Sequence, residues 1–204
     1  MNESPTSTCR RLAAVIATIA LGALAGCGNA RVFSLDPGHI DPDVAGTAAA
    51  GMAGADVQLR RYSTGCDATT PEPLTAKVGD GMEFTADQLK ALPSPCPESP
   101  NPGVEVQVER RSIIFDFSNV ERVGVFPESE FEGYLLDISR EDGPQLVLAV
   151  VDRQLTNVDV ENEDLSYDYE HLEVNFAGAT FDSDSFVKID LFFAHVAPRT
   201  GNAE

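Results

Sequence analysis

Apolar and polar residues alternate along much of the chain. Val104, Val106 and Val108 interleave with Glu105, Gln107 and Glu109. Ile113, Phe115 and Phe117 are spaced the same way, as are Leu172, Val174 and Phe176. Val187, Ile189, Leu191 and Phe193 interleave with Lys188 and Asp190. A period of two sends successive side chains to opposite faces of an extended segment, so these stretches predict half-buried β-strands. Residues 57–62 and 131–138 add two more. Residues 146–151 are apolar without a break, which predicts a strand covered on both faces. Turn residues such as Glu141-Asp142-Gly143-Pro144 separate these segments. One short helix is expected over 86–91, because Thr85 followed by Gln88 three positions on makes a capping box. Short strands without long helices imply antiparallel sheets, and strands with one wet face suit a sandwich. The expected class is therefore mainly β: an antiparallel β-sandwich with at most one short helix.

Composition divides the chain. Residues 56–198, about 140 residues, suffice for one domain with a sizeable core. Residues 27–55 are rich in Ala, Gly and Pro, with turn signals at Asp36-Pro37-Gly38 and Asp41-Pro42-Asp43. So little apolar bulk cannot repay ordering entropy, and this stretch is expected to be a flexible tether. Residues 199–204 are expected to form a disordered tail.

The first 26 residues have a different character. Arg10-Arg11 precedes an apolar run from Leu12 to Ala23, and small residues follow. That order is a secretory signal, and its apolar run is shorter than the roughly 20 residues of a spanning helix. Leu24-Ala25-Gly26-Cys27 resembles the lipobox of bacterial lipoproteins. The resemblance covers only the signal and the residue or two after it. It implies cleavage before Cys27, a diacylglycerol on its sulfur and an acylated new amino terminus. Two or more acyl chains give stable anchoring, whereas one binds only marginally. The alternative is an ordinary secretory signal cut elsewhere, with Cys27 a plain thiol. Gly28 stands where an Asp would retain such a protein at the inner membrane, which by the same analogy favours onward transport to an outer membrane.

Four Cys occur, and the signal and lipidation account for Cys9 and Cys27. Cys66 and Cys96 remain, an even pair in an exported chain, and are expected to form a disulfide. Neither has a second Cys or a His at zinc-ligand spacing.

Charge narrows the partners. The chain has 33 acidic and 14 basic residues, a formal net charge of −19. The signal contributes Arg10, Arg11 and Glu3, a net +1, so its removal leaves −20. Nucleic acid is excluded as a partner on electrostatic grounds, and docking on anionic headgroups is disfavoured. The membrane would be held by lipid alone. Solubility through self-repulsion is one reading of such a surface; a basic protein or cation partner is another. With no Trp and only four Tyr, flat aromatic platforms for sugars are scarce. The 11 Phe are expected in the core.

Two acidic patterns bear on a cation. Asp159, Glu161 and Glu163 alternate, Asp164 adjoins them, and Asp182 and Asp184 could join from a neighbouring loop. These six are the candidate Ca²⁺ ligands, since Ca²⁺ takes 6–8 oxygens from loops. An EF-hand is excluded because Asp164 falls where the sharp turn needs Gly; the alternative is a solvated acidic loop. The second pattern is Asp116, Asp137, Asp152 and Asp190 within apolar strands. They are expected on wet faces or at strand ends, some paired with Arg110, Arg111 or Arg153, or else converging on one face to hold a cation or basic ligand.

Catalytic signals are sparse. The His residues are His39, His171 and His195. Ser166, Asp168 and His171 lie too close along an extended chain to converge as a triad. There is no Gly-x-Ser-x-Gly elbow, no His-Glu-x-x-His and no phosphate loop. No catalytic residue is assigned and no cofactor beyond Ca²⁺ is implied. The sequence thus predicts a non-enzymatic, lipid-anchored envelope protein for binding or scaffolding. The rival is an exported hydrolase using carboxylates, with or without a metal. A third reading is assembly through an exposed edge, residues 104–110 or 187–194.

Overall fold

A computed structural model describes residues 51–66, 72–79, 81–96, 101–139 and 143–194. Cys9, Cys27, His39, His195 and the expected signal and tail lie outside them, as does the tether up to residue 50. Among the described residues no helix is long and apolar enough to cross a membrane.

The alternating segments do become strands, and every ladder is antiparallel. In chain order they are β1 (Asp56–Ser63), β2 (Leu74–Lys77), β3 (Glu105–Val108), β4 (Ser112–Asp116), β5 (Gly124–Val125) and β6 (Glu132–Ser139). They continue with β7 (Gln145–Val151), β8 (Leu165–Tyr167), β9 (His171–Asn175), β10 (Thr180–Phe181) and β11 (Phe186–Ala194). One sheet has the order β2-β1-β6-β9-β8 and the other β3-β4-β11-β7, with a small β10-β5 pair beside them. Helix α1 (Ala86–Ala91) begins at Thr85 with the predicted capping box.

The inward-facing positions of both sheets fill one core. Val57 and Leu59 of β1, Leu136 of β6 and Leu172 and Val174 of β9 meet Val106, Ile113, Phe115, Val187 and Ile189 from the other sheet. Phe115, Phe117, Phe126 and Phe176 stack or meet edge to face, with ring centroids 5.1–6.3 Å apart. Gly133 lets β6 and β9 approach closely, because a Cβ there would lie 1.9 Å from the Val174 carbonyl oxygen.

Inside this core lies a charge. Arg61 continues the inward phase of Val57 and Leu59 and is 1% exposed. It pairs with Glu132 of β6, 0% exposed, through Nε at 3.0 Å and through Nη2. Its Nη1 donates to Asn101 Oδ1 at 2.7 Å, and its guanidinium lies 5.6 Å from the Phe126 ring centroid. Beside the pair, burial pushes the Tyr134 hydroxyl well above its usual range, so the phenol stays neutral.

Some expectations are corrected. Residues 51–55, grouped with the tether by composition, belong to the body: Met52 and Ala55 are buried, and Met52 N–H donates to the Arg110 carbonyl. Strand β7 is not covered on both faces. It is the edge strand of its sheet, and Val147, Leu148 and Val150 are only half-buried. A register shift between Phe192 and Phe193 of β11 opposes it, so its apolar run serves an irregular, bulged edge. The edges proposed for assembly are also covered. β11 lies between β4 and β7, while β3 exchanges two backbone hydrogen bonds between Val106 and Phe84 and a third from Val108 N–H to Glu83 Oε2.

Cys66 and Cys96 are joined by a disulfide, as their count implied, with Cα atoms 5.5 Å apart. It ties the chain leaving β1 to the segment that follows α1.

Candidate functional site

The outward positions of the five-stranded sheet build a cleft. In one cross-strand row, Arg60 of β1 faces Leu135 of β6, Leu135 faces Glu173 of β9, and Glu173 faces Ser166 of β8. In the next row Asp137 of β6 faces His171 of β9. Directly opposed residues in antiparallel strands bring their Cβ atoms within about 5.5 Å, so each row is a line of touching side chains. Together with Tyr167 and Asp168 these residues line an open cleft of about 470 Å³.

The turn joining β8 to β9 sets its chemistry. Asp168 Oδ1 accepts from the backbone N–H groups of Glu170 and His171, each at 2.9 Å, and lies 2.8 Å from His171 Nδ1. The other ring nitrogen, Nε2, faces Asp137 Oδ1 at 3.6 Å. Asp137 Oδ2 in turn accepts from Arg60 Nη2 at 2.7 Å. Partial burial works against ionisation of Asp168, but the two backbone donors and the imidazole outweigh it and hold its carboxyl below the usual range.

Asp168 and His171 therefore do converge, against the expectation from an extended chain, because the hairpin turns between them. A relay to Ser166 is still not formed. Among the described residues Ser166 makes no hydrogen bond to the imidazole, whose Nδ1 lies 2.8 Å from Asp168 and whose Nε2 lies 3.6 Å from Asp137.

The acidic loop is arranged otherwise. A 3₁₀ turn over Asn162–Asp164 interrupts the alternation of Asp159, Glu161 and Glu163. Glu161 pairs with Arg153, and Asp164 Oδ2 accepts from the Glu161 backbone N–H at 2.8 Å. Asp182 Oδ1 accepts from the Asp184 N–H at 2.9 Å and from the Ser185 hydroxyl at 3.0 Å. The two loops are neighbours, since Asn157 Nδ2 donates to the Asp184 carbonyl at 2.8 Å. Even so, among the described residues no three His, Cys, Asp or Glu side chains are placed to hold one metal ion. Arg153 occupies both oxygens of Glu161, and turn contacts take one oxygen each of Asp164 and Asp182. The full chain is expected to melt at the same midpoint in millimolar calcium and in chelator. A stabilisation of several degrees by calcium would refute this.

The acids within apolar strands lie on the wet faces. Asp137 pairs with Arg60 rather than with the Arg residues anticipated, and Lys188 Nζ bridges Asp152 at 3.1 Å and Asp190 at 3.2 Å. The Lys188 hydrogen bond holds Asp152 below its usual range. Arg153 does the same for Glu161.

Comparison with protein families, with curated proteins and with solved structures finds no match to the chain.

Proposed function

We propose that the chain is a lipid-anchored protein of a bacterial envelope whose β-sandwich binds a partner without performing chemistry on it. The anchor rests on the Arg10-Arg11, Leu12 to Ala23 and Leu24-Ala25-Gly26-Cys27 sequence. Binding rather than hydrolysis rests on the cleft. A hydrolase working through carboxylates needs an acid whose pKa is raised toward the working pH, in a water-poor pocket. Asp168 of the cleft is instead pushed downward. The observation that carries the reading is Asp168 of the cleft, whose Oδ1 is committed to two backbone N–H groups and to His171 Nδ1. A carboxyl so held stays ionised and does not serve as the proton donor that a hydrolase needs.

The anchor is tested by Cys27→Ser. The variant is expected to lose acyl mass and to leave the membrane fraction for the soluble one. Intact mass of the detergent-extracted wild type should carry the added chains on its first residue. Unchanged processing and continued membrane partition of the variant would overturn the lipoprotein reading.

A further inference from the structure

The cleft has a gap in its charge pairing. Arg60 is matched by Asp137, and Asp168 holds the β8–β9 turn together. Glu173 is half-buried on the floor, and among the described residues its carboxylate has no hydrogen-bond or ion-pair partner. The lining carboxylates Asp137, Asp168 and Glu173 outnumber the single Arg60. Apolar surface flanks Glu173: Leu135 lies directly across on β6 and is half-buried.

We propose that this face is the docking site for a basic polypeptide segment, and that it seats an arginine or lysine side chain with its cation on Glu173. The proposal rests on the binding reading above and names its partner class. A long cationic side chain has two parts, an aliphatic stem and a charged head, and it gains from laying the stem on apolar surface while the head finds an acid. Leu135 takes the stem and Glu173 takes the head. A bare metal ion fits poorly, because Arg60 stands in the cleft, paired with Asp137, and Asp168 Oδ1 is taken by the turn and the imidazole. The net charge of −19 draws basic partners generally and concentrates them at this surface.

General attraction must be separated from a site, and that decides the experiment. The probe is a short fluorescent peptide alternating arginine and threonine, titrated against the full chain in detergent at physiological salt. Glu173→Gln keeps shape and removes charge, and is expected to weaken binding about tenfold, the loss of one charge-assisted contact. Leu135→Ser is expected to weaken it several-fold. Glu163→Gln removes an equal charge from the exposed 3₁₀ turn and is expected to leave binding within a factor of two. The glutamine version of the peptide is expected not to bind. Equal losses from Glu163→Gln and Glu173→Gln would reduce the interaction to bulk charge and overturn the proposal. An unchanged Glu173→Gln, or equally effective competition by spermine, which lacks a peptide backbone, would also overturn it. None of these failures touches the anchor, which Cys27→Ser tests separately by membrane partition.

Discussion

Replacing Arg61 by methionine is expected to remove about 3–5 kcal/mol of stability, the cost of leaving one charge of a buried pair without its partner. Arg61 and Glu132 are 1% and 0% exposed, and the guanidinium donates to Glu132 Oε1 and to the Asn101 side-chain oxygen. Methionine fills similar volume, so little of the loss comes from a cavity; it comes from a carboxylate held among Phe126, Tyr134 and their neighbours with no donor facing it. The same argument predicts that Arg61→Met combined with Glu132→Leu recovers most of the loss, because an apolar replacement of both partners is often neutral. Denaturant titrations of the wild type, both single variants and the double variant close the cycle. A single-variant loss under about 1 kcal/mol, the range of exposed pairs, would show that solvent reaches this charge.

What the chain reveals by itself follows from the range of the interactions. Period-two alternation is local, so seven of the nine strands in the two main sheets could be read directly; β2 and β8, four and three residues long, are too short to display it. The capping box at Thr85 and Gln88 is equally local, and α1 begins where it says. The disulfide needed only a count and a compartment. The cleft needed strand order. Arg60 and Asp137 are 77 residues apart, and nothing near either one announces the other. The sequence also singled out acids inside apolar runs, yet those acids face water, while the acid that is buried, Glu132, stands at the start of β6 beside Phe131. Its signal was present in β1: counting by two from Val57 through Leu59 places Arg61 inward, and an inward arginine requires a buried acid. Strand β7 shows the opposite failure. Its unbroken apolar run reads as a central strand, but a bulged edge strand packed irregularly needs apolar residues on both sides as well.

Removing the disulfide by Cys66→Ser together with Cys96→Ser is expected to lower stability by roughly 3–4 kcal/mol, the loop-closure entropy returned to the unfolded chain by opening a loop of this size. The cysteines are 30 residues apart. For a body of about 140 residues that loss lowers the melting midpoint by roughly 6–16 °C. The effect reaches further than entropy. Ser63 Oγ lies 3.4 Å from Cys96 Sγ, and Ser63 is the next inward position of β1 after Arg61. Asn101, the side-chain acceptor for Arg61, donates to the Leu92 carbonyl and so depends on the segment that the disulfide holds. Loosening that segment takes one hydrogen bond from the buried arginine, so the serine pair and Arg61→Met are expected to cost less together than the sum of their separate losses. Thermal melts of the wild type with and without reductant provide the independent control. The reduced wild type should melt with the serine pair, and if reduction leaves the midpoint where it was, the crosslink contributes nothing and the coupling to Arg61 falls with it.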